Sequence, residues 1–332
     1  AVHPRVPLNI AAGLFAGLLL GIASAFLRGL LDRTLKVPDD IETDLNVTFL
    51  GILPQFEQDA QGVADPALKK RRRKRGRRVE VTKKPELIVH EQPTSSIAEA
   101  ARAIRTNLIF MRPDHPYETL LITSPGPVEG KTTVATSIAI AMAQAGQSVL
   151  LMDCDLRRPR VHRVFGLGSE TGITTALLNG KITDVVRDSG VPNMSIVPCG
   201  PVPPNPAELF HSDRFRELLA EAQHEFDRVI IDSPPIAAVT DATILSTLVD
   251  GTVIVARAFE TRKELARHAA RSIRDVGGHI AGAVLNAVDF ARAEYKYSYY
   301  YYRRDEYYGS DASRLSLPGA PVSREKRPPA TH

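Results

Sequence analysis

Six short apolar runs recur along this chain: Thr119–Thr123, Ser148–Met152, Met194–Pro198, Arg228–Ile231, Gly251–Ala256 and Ala281–Leu285, with helically patterned segments between them. Each is rich in Leu, Ile and Val, so each reads as a strand. Their apolarity is continuous rather than alternating, which means that both faces of each strand are covered. Strands that take turns with helices in this way build a parallel sheet sandwiched by helices. Residues 111–290 are therefore expected to form one α/β domain, and no internal repeat is evident.

The first run leads into Ser124-Pro125-Gly126-Pro127-Val128-Glu129-Gly130-Lys131-Thr132-Thr133 and then a helical stretch, Val134–Ala145. Strand, loop and helix start in that order suit a phosphate cradle. Gly130 lets the backbone approach a phosphate, amides at the helix start point at its oxygens, Lys131 neutralises the β and γ charges, and the Thr132 hydroxyl can ligate Mg²⁺. Pro127, Val128, Glu129, Gly130, Lys131, Thr132 and Thr133 are the expected nucleotide-binding residues. The strict form of the loop carries Gly where this chain has Pro125. Two further runs end in acid: Asp153-Cys154-Asp155-Leu156-Arg157, and Asp232-Ser233-Pro234-Pro235. Open α/β sheets place their ligand crevice at such strand ends, and carboxylates there suit Mg²⁺. Two acidic tips beside one phosphate loop point to nucleotide hydrolysis or phosphoryl transfer.

Ahead of this domain, Leu8–Leu27 is a stretch of twenty residues without charge, long enough to cross a bilayer as a helix. Gly13, Gly17 and Gly21 recur in it as small-residue helix contacts do in membranes. Arg28, Arg33 and Lys36 follow it and only His3 and Arg5 precede it, which puts the C-terminal bulk on the cytoplasmic side. The net charge of +4 hides a local extreme, the basic run Lys69–Arg78. That run reads as a contact for anionic lipid headgroups, ahead of an inert tether and, last, of nucleic acid. Cys154 and Cys199 are the only cysteines, too few for a sulfur metal site, and they are expected as reduced thiols of a cytosolic domain. The expected organisation is a membrane segment over 1–27, a connector with a short strand at Leu50–Pro54 and a basic linker over 28–92, the α/β domain over 93–290, and a tail over 291–332. The chain begins without Met and reads as a piece of a longer protein.

In the tail lie eight of the nine tyrosines: Tyr295, Tyr297, Tyr299, Tyr300, Tyr301, Tyr302, Tyr307 and Tyr308. Buried phenols want an apolar pocket with a wet edge, and crowding beside charges does not supply one. The tail is expected to be disordered and to offer its hydroxyls to solvent or to an active site.

Taken together, Glu129-Gly130-Lys131-Thr132, Asp153-Cys154-Asp155-Leu156-Arg157, Ile231-Asp232-Ser233-Pro234-Pro235 and the tyrosine cluster resemble the bacterial tyrosine kinases. The likeness is to the cytoplasmic kinase part, with the last transmembrane helix, of polysaccharide co-polymerases, and it covers nearly the whole chain. Asp155-Leu156-Arg157-Arg158-Pro159, Pro204–Leu209 and Thr240-Asp241-Ala242 look like further signatures of that family. The resemblance implies a P-loop NTPase-like fold and an ATP- and Mg²⁺-dependent protein-tyrosine kinase. Lys131, Asp153, Asp155 and Asp232 would be its catalytic residues, with Thr132, Asp155 and Asp232 around the metal and Asp153 as base or positioner for the tyrosine hydroxyl. It implies autophosphorylation of the tail between subunits of a ring. Glu99, Arg102 and Arg105, spaced to share a helix face, would match the family's oligomerisation motif. Other implied partners are membrane lipids, a polysaccharide polymerase and export machine, and a tyrosine phosphatase; the implied place is the bacterial inner membrane, kinase inward. A rival is a membrane-associated ATPase switch, whose signature Lys would stand at Gly126. Another is an assembly scaffold whose nucleotide only sets oligomeric state.

Overall fold

A computed structural model describes residues 6–56, 84–290 and 292. By internal contacts the chain divides into Ala1–Asp289 and Phe290–His332, and every element named here belongs to the first unit. The helices are α1 Val6–Leu31, α2 Pro38–Leu45, α3 Ile88–Glu91, α4 Ser96–Met111, α5 Lys131–Ala143, α6 Val161–Phe165, α7 Ile173–Asn179, α8 Ile182–Val185, α9 Pro206–His211, α10 Asp213–Glu225, α11 Asp241–Ser246 and α12 Lys263–Asp275. The strands are β1 Phe49–Pro54, β2 Thr119–Thr123, β3 Val149–Asp153, β4 Arg187–Asp188, β5 Met194–Val197, β6 Arg228–Asp232, β7 Gly251–Arg257 and β8 Ile280–Val288.

All eight strands join one sheet in the order β1-β8-β7-β2-β6-β3-β5-β4, parallel throughout except for the β4–β5 edge. The six apolar runs are six of these strands. Side chains alternate across the sheet: Leu120 and Ile122 enter one apolar cluster with α4 and α5, whereas Leu121 enters the other with α7, α9 and α10. Every residue of α5 from Val134 to Ala143 is buried, as expected of a helix apolar on all sides. Helix α4 opens on Ser95, whose hydroxyl accepts the Ala98 N–H at 3.2 Å, which satisfies one of the donors that a helix start leaves free.

Two features of the sheet exceed what the sequence suggests. The two-residue β4 is too short to leave a periodic signal. Strand β1, from the connector segment, is the outer strand of the main sheet: Phe49 pairs with Ala283 and Pro54 with Val288. Gly51 makes room there, since a Cβ would lie 2.7 Å from Cγ1 of Ile104 on α4. The connector is tied down further by Leu35, buried, whose N–H donates to the Thr261 carbonyl at 2.8 Å and whose carbonyl accepts the Phe259 N–H at 2.9 Å. Lys263 on α12 bridges Asp40 at 2.6 Å and Asp44 at 2.9 Å on α2.

The helix expected at the N-terminus forms as α1, and its described side chains are all exposed. No helix among the described residues is long and apolar enough to cross a membrane.

The two ends of the sheet are finished differently. At the N-terminal ends of the strands, the Asp250 Oδ2 accepts the N–H groups of Glu118 and Thr119 at 2.9 and 2.8 Å and the Thr119 hydroxyl at 3.0 Å. Asp227 Oδ2 accepts the Ser148 N–H at 2.7 Å. Tyr117 stacks on His279 with its hydroxyl 3.1 Å from Nε2. The C-terminal ends carry the phosphate-type loop and the acids.

Candidate active site

The loop between β2 and α5 holds two residues in the left-handed region, Val128 at φ 63° and Gly130 at φ 90°. At Gly130 a side chain would displace Asn286 on β8, since a Cβ would lie 2.1 Å from its Nδ2. That amide donates to the Glu129 carbonyl at 2.8 Å. The Glu129 carboxylate folds inward, accepting the Gly126 N–H at 2.9 Å and the Thr261 hydroxyl at 2.6 Å. Burial pushes its pKa up and those donors oppose the shift. Ser124 donates to the Gly126 carbonyl at 2.6 Å and Arg257 to the Val128 carbonyl at 3.3 Å. With these carbonyls tied back, the N–H groups at the start of α5 are left for an anion. Val128 is β-branched and 77% exposed; its left-handed backbone is the kind of strain that clusters at functional loops.

Beside the loop, β6 and β3 bring their acids into register, Asp153 opposite Asp232. Both are buried, and so is Lys131. Thr132 donates its hydroxyl to Asp232 Oδ2 at 2.6 Å, while Asp153 Oδ2 accepts the N–H groups of Arg160 and Val161 at 3.0 Å each. The other oxygen of each carboxylate, Asp153 Oδ1 and Asp232 Oδ1, is buried without a protein partner. Burial, before any other cause, raises both acids: Asp232 reaches about 7, and Asp153 lies well above its usual range with the Asp232 charge adding to the effect. Asp155, half-buried, accepts the Arg158 N–H at 3.0 Å.

Two orphaned carboxylate oxygens and a threonine hydroxyl fit a hard divalent cation, which would relieve the cost of burying those charges. Among the described residues no group of three or more His, Cys, Asp or Glu gathers for a metal. Mg²⁺ asks for no such cage, since it keeps waters and takes phosphate oxygens. A cavity of about 700 Å³ lies close by, lined by Asp32, Arg33, Thr34, Arg262, Glu264 and Leu265. One of its lining residues, Leu265, adjoins the loop, its Cδ2 lying 3.3 Å from where a Cβ at Gly126 would be.

Lys131, Thr132, Asp153 and Asp232 thus converge, with Asp155 just beyond β3. Pro127 is exposed at the loop and Thr133 is half-buried in the first turn of α5. Arg157 makes a bidentate ion pair with buried Asp241, at 2.9 and 3.0 Å, which joins two of the sequence signatures. On α4, Arg102 pairs with Glu99, but Arg105 turns to the Ala141 carbonyl at 2.9 Å near the end of α5. Cys154 and Cys199 are buried free thiols, Cys199 pushed up to about 12 by burial. The eight tail tyrosines and the basic run 69–78 lie outside the described residues. Thr261 and Asn286, which brace the loop from far along the chain, were not legible as site residues; ordinary polar side chains outside any motif leave no signal.

The family model of ParA, described as NUBPL iron-transfer P-loop NTPase, matches residues 118–314. The chain is 39% identical to the tyrosine-protein kinase YwqD of Bacillus subtilis over 215 residues, 64% of this chain and 90% of that protein. It is 33% identical to the tyrosine-protein kinase Etk of Escherichia coli K12 over 306 residues, 90% of this chain and 40% of the relative. Among solved structures, the chimerical protein CapA2B2 is similar at TM-score 0.65 and 32% identity, covering 76% of this chain and 99% of that one. The kinase domain of E. coli Etk is similar at TM-score 0.65 and 31% identity, covering 76% and 95%.

Proposed function

The chain belongs to the bacterial tyrosine-protein kinases, on a ParA-type P-loop NTPase fold, and on that premise we propose that it moves the γ-phosphoryl group of ATP onto its own tyrosine cluster, Tyr295–Tyr308. The observation that carries this reading is the Asp153–Asp232 pair, in register, half unpartnered, and next to Lys131 and Thr132. Lys131 and the amides at the start of α5 hold the β and γ phosphates. Thr132, Asp155 and Asp232 hold Mg²⁺, directly or through water. Bound there, Mg²⁺ supplies neutralisation of charge on the phosphates. Asp153 presents Oδ1 to the incoming phenol and takes its proton as the oxygen–phosphorus bond forms and ADP leaves. Burial raises its pKa, which makes it, once ionised, a stronger base than an exposed carboxylate.

Transfer runs between subunits of a homo-oligomeric ring in which the Glu99–Arg102 pair faces a neighbour and Arg105 holds α4 to α5. No described helix is long and apolar enough to cross a membrane, but the apolar side chains of α1, Leu14, Phe15, Leu18 and Leu20 among them, are exposed, which supports association with the cell membrane. The positive residues after α1 favour the cytoplasmic side for the kinase. The basic run then lies on anionic lipid. The enzyme serves a capsular or exopolysaccharide polymerase and export machine and is reset by a tyrosine phosphatase. Each added phosphate brings nearly two negative charges, so a phosphorylated tail leaves a neighbour's acidic site and the ring loosens.

Two variants test the transfer. Changing all eight tail tyrosines to Phe removes most phosphotyrosine and preserves ATP binding. A Lys131→Met chain with intact tyrosines is dead alone and becomes labelled when mixed with the Phe variant. An unlabelled dead partner in demonstrated mixed oligomers refutes transfer between subunits. Free phosphate without phosphotyrosine means an ATPase switch, and neither product means a scaffold.

A further inference from the structure

Asp153 is held by a short helix that is itself braced from a segment remote in sequence, residues 84–87. Both N–H groups that fix its Oδ2 belong to Arg160 and Val161, at the start of α6. That helix has five residues, too few to be stable by itself. It is clamped at both ends by one turn, Pro85–Leu87, and the lysine before it. Lys84 Nζ donates to the carbonyls of Arg163 and Val164 at 2.9 and 2.6 Å, at the end of α6. Glu86, 3% exposed, takes Arg160 Nη2 at 3.0 Å, at its beginning. A carboxylate buried that deeply requires a cation. The Arg160 side chain, itself 64% exposed, reaches in from the surface to provide it. The peptide carrying that side chain is the one bonded to Asp153.

We propose that Glu86 and Arg160 are positioning residues for phosphoryl transfer: their ion pair fixes the peptide that locks the Asp153 rotamer and aims its free Oδ1 at the tyrosine hydroxyl. The proposal rests on the reading of Asp153 as the group that takes the tyrosine proton. Lys84 holds the far end of α6 and sets its axis. Both Glu86 and Arg160 are assigned to act through that peptide rather than on the reacting atoms.

The test uses the full chain, with a synthetic peptide of the Tyr295–Tyr308 sequence as acceptor. Arg160→Ala lowers kcat on the order of 10- to 100-fold, the scale expected for a misplaced catalytic group. KM for ATP and the melting temperature stay at their parental values, and Arg160→Lys, which still reaches Glu86, recovers part of kcat. Glu86→Gln keeps the side-chain shape and lowers kcat in the same direction, and it decides the question if Arg160→Ala folds poorly. Parental kcat in both variants overturns the proposal. So does a fall in kcat matched by equal loss of ATP affinity, since that would be general damage to the site. Asp153→Asn separates this from the underlying reading: a variant that binds ATP but transfers nothing upholds it, and one that transfers normally sinks the reading and the proposal with it.

Discussion

The same sheet ends in carboxylates at both extremities, but the two ends treat them oppositely. At the N-terminal ends of the strands, one oxygen of Asp250 collects three donors and Asp227 caps the start of β3 through Ser148. At the C-terminal ends, Asp153 and Asp232 are more deeply buried and each leaves an oxygen without a protein partner. Buried polar atoms are nearly always satisfied in a folded protein, so the imbalance marks where the fold has given up stability for chemistry. The acids of one end hold the chain together. Those of the other keep an oxygen each that the chain does not satisfy.

The sharpest way to break this contrast is Asp232→Asn. The amide still accepts the Thr132 hydroxyl, but the charge for a cation is gone, so tyrosine phosphorylation should be lost. The nucleotide-free protein should become more stable at neutral pH, by on the order of a few kcal/mol, since a pKa unit is worth about 1.4. The sign follows from linkage. Asp232 rises from 3.8 to about 7 on folding, so between those values the folded state holds a proton that the unfolded state has lost. Parental stability therefore falls as pH climbs through that window and levels off above it. In the Asn variant the fall should be shallower, Asp153 keeping part of it. Thermal melts from pH 4 to 8 measure this, and a variant less stable than its parent at neutral pH would refute it.

Asp250→Ala should do the reverse. Three donors lose their acceptor, which costs about 1–3 kcal/mol, while phosphotyrosine formed per folded molecule is unchanged. Urea unfolding with a parallel kinase assay reads both, and a drop in specific activity would mean that the two ends are coupled.

The smallest effect belongs to Val128→Gly. It relieves a left-handed β-branched residue and should stabilise the loop by about 1 kcal/mol or less after the entropy of glycine is counted. ATP affinity measured by calorimetry should hold, because the loop amides are untouched.

How much of this was legible in sequence follows from the range of each signal. The strands and the loop of Gly130, Lys131 and Thr132 are local patterns, read from neighbours a few residues apart, and the structure carries them as expected. The facing of Asp153 and Asp232 follows from two strand ends in one parallel sheet. What escaped depends on partners with no periodic or motif signature. Asn286 and Thr261 reach Glu129 from far along the chain, and Glu86 meets Arg160 across a gap of 74 residues. Arg105 shares a helical spacing with Glu99 and Arg102, yet the carbonyl of Ala141 draws it inward, a choice that only packing against α5 could decide. The strand in the connector was visible, but its place in the sheet was set by β8, the last strand to appear.

That pairing bears on how the chain is made. Phe49 waits for Ala283, a partner that leaves the ribosome only after every other strand has been synthesised. Non-local pairing of this kind folds late and slowly, and during synthesis the β1 segment remains an unpaired, apolar edge beside a growing core. Closure of the sheet is therefore a terminal event in biogenesis, and a chain cut short before Ile280 would hold its first strand with nothing to receive it.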